Sequence, residues 1–123
     1  MRYFASTRST APPWLAAAII ALYVGVEELV FRGIVITVAA PHGAFVACSL
    51  SAALFVVAQV FGMPSLRAAL VPVVGAAVVG PVHAILFWQV HDLLPLVAAH
   101  LAFFWCALRL TSGGPLPVAA AAR

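Results

Sequence analysis

Glu27, Glu28 and Arg32 fall within one six-residue window of a long apolar run. The chain carries six basic and three acidic residues, so this window holds three of its nine charges. A charged side chain near the middle of a bilayer costs roughly 2.5–3.5 kcal/mol on insertion scales, and such residues mark functional sites by default. On a helix Glu28 and Arg32 are four apart, share a face and can pair. Glu27 is then turned about 100° away, where it can face a cavity, bind water and take a proton. The plainer alternative is a self-neutralised polar cluster that only holds helices together.

The elements that must position these groups are set by composition. Hydrophobic residues make up 66% of the chain and the mean hydropathy is +1.18, whereas soluble domains are about 45–50% apolar. With 123 residues the chain is one domain at most. It reads as an all-α, polytopic transmembrane helical bundle. The net charge of +3 comes from arginine alone, too few basic groups for a nucleic-acid surface. Cys48 and Cys106 lie within apolar spans and lack a pairing motif, so both read as small hydrophobes. The first apolar run is too long, and too charged in its second half, for a cleavable signal peptide.

Residues 1–13 form a short polar N-terminal arm ending in Pro12-Pro13. A four-helix membrane domain follows over 14–111, with spans at about 14–38, 44–63, 67–88 and 93–110, and residues 112–123 form a flexible tail. The first span covers the ~30 Å hydrocarbon core with some to spare at 1.5 Å per residue. Pro41-His42-Gly43 and Gly62-Met63-Pro64 mark turns. Pro72, Gly75, Gly80 and Pro81 predict a kinked third span, and Pro95 falls in the first turn of the fourth, where proline is tolerated. Arg2, Arg8, Arg67, Arg109 and Arg123 all fall on one side of such a bundle. His42, His91 and Asp92 fall on the other, so both termini are placed in the cytoplasm.

Glu27 and His100 lie near the middle of their spans, Gln59 in the cytoplasmic half of the second and His83 in the outer half of the third. Pooling the first three gives one buried, hydrated pocket. His83 reads more simply as a histidine near the outer interface, bonded to water or a carbonyl. Carboxylate and imidazole suit zinc or iron, but no two of Glu27, His83 and His100 are spaced as ligands on one helix, so no metal and no cofactor are expected. The small residues Ala16-Ala17-Ala18, Ala52-Ala53 and Gly75-Ala76-Ala77 favour close helix–helix contact.

The pattern Glu27-Glu28-x-x-x-Arg32-Gly33 resembles the first motif of the CPBP family of CAAX-prenyl endopeptidases and bacteriocin-processing or bacteriocin-immunity proteins, also called Abi. Phe55-Val56-Val57-Ala58-Gln59 stands where the second motif, Phe-x-x-x-His, is expected. Asp92-Leu93-Leu94-Pro95 leads to His100 as the third motif requires, with Phe104 at its second polar position. The likeness spans roughly 14–110. It implies intramembrane proteolysis, with Glu27 as the base, Glu28–Arg32 as a supporting pair and His100 as polariser or oxyanion donor. Gln59 and Phe104 depart from the pattern. A carboxamide cannot take a proton in this range, and losing one oxyanion donor alone costs about 10²–10³ in rate.

Two readings follow. The first, which the departures favour, is a non-catalytic accessory or scaffold subunit of a larger membrane assembly, or a bacteriocin-immunity-like binder. The second is a glutamate-dependent intramembrane endopeptidase acting on a membrane-associated peptide. Either places the protein in the lipid bilayer, read as the bacterial cytoplasmic membrane, with other membrane subunits as partners and no nucleic acid.

Overall fold

The computed structural model describes residues 12–61 and 63–111, all of them in helices, turns or short connections. The arm up to residue 11 and the tail from residue 112 lie outside the described residues. Helix α1 runs Pro13–Glu28, with proline at its first position, where the missing N–H would have had no partner. It continues without a break through a π-helical stretch, Leu29–Ile36, a short α turn, Thr37–Ala39, and a 3-10 turn, Ala40–His42. Three further helices follow: α2 at Ala44–Ala58, α3 at Leu66–Val90 and α4 at Leu94–Thr111.

The joints have local causes. Gly43 turns the chain into α2 at φ 92° and ψ 160°, a conformation open essentially to glycine alone. Ser65 caps α3 by accepting the Ala68 N–H at 3.2 Å. His91 closes α3 in the left-handed region, at φ 53°, with its N–H on the Phe87 carbonyl at 2.8 Å. Asp92 Oδ1 then accepts the Leu94 N–H at 2.9 Å, and Pro95 sits in the first turn of α4 as expected.

Four helices form where four apolar runs were read, and the all-α class holds. Two of them, Trp14–His42 and Leu66–Val90, are long and apolar enough to cross a membrane. Helix α2 has 15 residues, about 22 Å at 1.5 Å per residue. It stops at Ala58 rather than at 63, because Gln59, Val60 and Phe61 turn their N–H groups to carbonyls three residues back, tightening the end. Helix α3 passes through Pro72 and Pro81 as one 25-residue element.

Polarity is inverted relative to a soluble core. Leu22, Val26, Leu70, Val74, Val78 and Val82 face outward, while Arg32, Glu28 and Ser51 are among the largest fully buried side chains. An apolar exterior of this extent suits lipid rather than water. One apolar cluster, of Ile36, Ala39, Ala47, Ala84, Phe87 and Leu96, packs the end of the bundle nearest Gly43 and His91. The π-helical stretch packs on α2 and α3, α2 packs along α3, and α1 packs on α4. Helices α2 and α3 touch closely at Gly80, where a Cβ would stand 3.3 Å from Phe55 Cδ1 and 3.6 Å from Ala52 Cα.

Gly43→Ala forces a side chain onto a strained backbone and is expected to lower stability by about 1–3 kcal/mol. Gly25, which has nothing within 4 Å of a built Cβ, is the control: Gly25→Ala in mid-helix is expected to be neutral or to stabilise by about 0.5–1 kcal/mol. Thermal unfolding in mild detergent separates the two.

Candidate active site

Glu27 and Glu28 end the regular part of α1, and Arg32 lies inside the π-helical stretch that follows. π-Helical turns are rare and frequent at functional sites. Here the widened turn is held from outside: Ser51 Oγ on α2 donates to the Phe31 carbonyl at 2.7 Å. Glu28 and Arg32 are both 0% exposed, and their pairing is the one the spacing predicts, with Arg32 Nε 3.3 Å from Glu28 Oε2.

The guanidinium has further support. Its Nη2 donates to the Gly80 carbonyl of α3 at 3.4 Å, and its Cζ lies 4.2 Å from the centroid of the Phe55 ring, a cation–π contact. Arg32 Nε and Nη1 make no aligned hydrogen bond among the described residues, so the ring face and the carboxylate charge compensate much of its burial.

The other Glu28 oxygen gathers two histidines. Oε1 stands 2.7 Å from His100 Nδ1 and 3.0 Å from His83 Nδ1. An ionised carboxylate only accepts, so Glu28 in its ionised form takes a hydrogen from each Nδ1. For His100 this turns Nε2 toward the second carboxylate, 4.0 Å from Glu27 Oε2. Gln59 Nε2 donates to the opposite oxygen, Glu27 Oε1, at 3.3 Å. The result is a line of groups: Arg32, Glu28, His100, Glu27, Gln59. A carboxylate that orients an imidazole toward a second reacting group is the arrangement that fixes tautomer and direction in acid–base sites.

The structure brings Glu27, Glu28, Arg32, Gln59 and His100 together. It also brings in His83, which the sequence reading left near the outer interface. His83 is 6% exposed and bonded to Glu28, so that reading is corrected. The missed signal is the hairpin between α3 and α4. His83 lies seven residues before Val90 and His100 six after Leu94, which makes them level when both are measured from their shared loop. Glu27 and Gln59 are level for the same reason, each sixteen residues from Gly43.

Phe104 lies one turn beyond His100 on α4 and is half-buried. Among the described residues, Glu28, His83 and His100 could share a metal, their candidate ligand atoms lying within 4.8 Å of one another. That set contains Glu28 rather than Glu27, and a guanidinium already pairs with its carboxylate. The guanidinium charge beside that carboxylate opposes a dication there, so the donor set does not fit one well.

The family model described as type II CAAX prenyl endopeptidase Rce1-like matches residues 8–112. No curated protein and no solved structure matches the chain.

Removing one member of a buried ion pair leaves the other charge uncompensated. Arg32→Met is expected to cost about 3–5 kcal/mol. The double variant Glu28→Gln, Arg32→Met keeps an oxygen for the histidines and is expected to recover most of that loss. Detergent melting curves for the two variants and the parent check this.

Proposed function

The chain belongs to the Rce1-like family of type II CAAX prenyl endopeptidases, and from that premise we propose that it hydrolyses a peptide bond in a membrane-associated chain, with Glu27 activating the water. The observation that carries this is His100, clamped through Nδ1 by the Glu28–Arg32 pair so that Nε2 faces Glu27 at 4.0 Å. A polar cluster that only glued helices together would not need to aim an imidazole at a second carboxylate. Glu27 takes a proton from water as the oxygen bonds to the scissile carbonyl carbon, then passes that proton to the leaving amine. His100 Nε2 holds the water when bare. The water's other hydrogen stays on the tetrahedral intermediate, whose C–N bond breaks as Glu27 protonates the amine. Gln59 orients Glu27 but cannot share the proton.

Gln59 and the apolar Phe104 also favour a second reading, a non-catalytic accessory or scaffold subunit in a membrane assembly, or a bacteriocin-immunity-like binder. The two part on substitution. Under the first, Glu27→Gln lowers cleavage of a membrane peptide by at least 10², within the usual range for a general base, and Gln59→His raises turnover by restoring an imidazole beside Glu27. Under the second, neither the parent nor Gln59→His cleaves any peptide from a membrane-presented library, and the protein co-purifies with larger subunits.

We further propose four membrane crossings with both termini in the cytoplasm of a bacterial cell. The arginine distribution and the apolar exterior support it. Reporter fusions at the C-terminus and after His91 are expected to give cytoplasmic and external signals respectively.

A further inference from the structure

We propose that His83 is a positioning residue: by sharing Glu28 Oε1 with His100 it fixes the carboxylate, and through it the tautomer and direction of the imidazole facing Glu27. The functional half of this inference rests on the reading of Glu27 and His100 as the reacting pair. Its structural half does not.

The geometry separates His83 from the proton chemistry. Its one hydrogen bond to the cluster is Nδ1 to Glu28 Oε1 at 3.0 Å. Its ring meets the His100 ring edge-on, with centroids 5.8 Å apart and planes at 81°. His83 thus touches the two groups that aim the site, while Gln59 occupies the place beside Glu27. The second imidazole of this cluster comes from α3, and it supports the supporting pair.

The need for such a residue follows from Glu28 itself. The terminal torsion of a glutamate is broad and roughly two-fold, so one hydrogen bond does not set the plane of its carboxylate. Arg32 Nε stands at 3.3 Å from Oε2, but neither atom has an aligned hydrogen bond among the described residues. The carboxylate plane is therefore set at Oε1, by two donors from two helices. Without His83, Oε1 would hold His100 alone, and the pair could swing together. Helix α3 can serve as the anchor because it is already fixed to the same cluster at Gly80, by the Arg32 Nη2 hydrogen bond and by contact with Phe55 and Ala52.

Nitrogen-15 spectra of the full chain in lipid nanodiscs, with labelled histidine, distinguish protonated from bare ring nitrogens. The expected parent spectrum has hydrogen on Nδ1 of both His83 and His100. Asparagine presents an N–H close to where Nδ1–H stood, so His83→Asn is expected to leave His100 as the Nδ1–H form. His83→Leu is expected to give a tautomer mixture at His100. In cleavage assays His83→Asn is expected to stay within about threefold of the parent. For His83→Leu kcat is expected to fall about 10–100-fold, the usual loss for a residue behind the reacting groups, with KM little changed.

A parent spectrum lacking Nδ1–H at either histidine overturns the proposal, even if His83→Leu does not fold. So does His83→Leu leaving the His100 tautomer intact, or added Zn²⁺ displacing the Nδ1 hydrogens. Tautomers that behave as expected in a chain that cleaves nothing uphold the positioning and count only against the endopeptidase reading.

Discussion

Everything in the middle of this bundle is tied to one carboxylate. Glu28 on α1 holds Arg32 four residues on, His83 on α3 and His100 on α4, all at 3.3 Å or less. None of these groups would be tolerated singly in an apolar interior, because an unpaired buried charge costs several kcal/mol. Together they compensate one another's charge and polarity only when the three helices are in register. The same charge pattern that is expensive in lipid therefore specifies the packing. A slip of any helix by one residue would strand a charge, whereas a slip in a purely apolar bundle would merely exchange one alanine or valine contact for another.

Much of the fold was legible because the physics behind it is local. Apolar runs punctuated by glycine and proline gave the four helices, and the i, i+4 spacing gave the Glu28–Arg32 pair. What escaped was the relation between helices. Depth had been counted from the ends of apolar runs, as if all ended in one plane. Helix α1 instead continues to His42, and α2 stops at Ala58. His83 is misplaced because α3 runs on to Val90 and α4 starts at Leu94, and counting from the loop between them sets it level with His100. The π-helical stretch had no visible signature in the sequence, since its wide turn is held by a hydroxyl on another helix.

The division of labour between the two glutamates also becomes physical rather than positional. Glu28 is sealed, with Arg32 beside one oxygen and two imidazoles on the other, so its work is to orient. Glu27 is slightly exposed, has Gln59 on one oxygen and His100 opposite the other, and has no guanidinium partner among the described contacts. Adjacent residues of one type thus acquire different chemistry from a 100° rotation about the helix axis.

The π-helical segment carries a consequence for how this chain tolerates length changes. A π turn accommodates surplus backbone without breaking the helix. Deleting one residue between Gly33 and Ile36 would let the segment relax to ordinary pitch, leaving the Glu28–Arg32 register upstream untouched. Because the surplus residue and the wide turn go together, Ala39 would keep the facing that places it in the apolar cluster with Ala47 and Leu96, whereas the same deletion in the regular part of α1 would rotate everything downstream by about 100°. The wide turn thus uncouples the angular setting of the charged centre from that of the apolar end. Each half of the long helix can face its own neighbours.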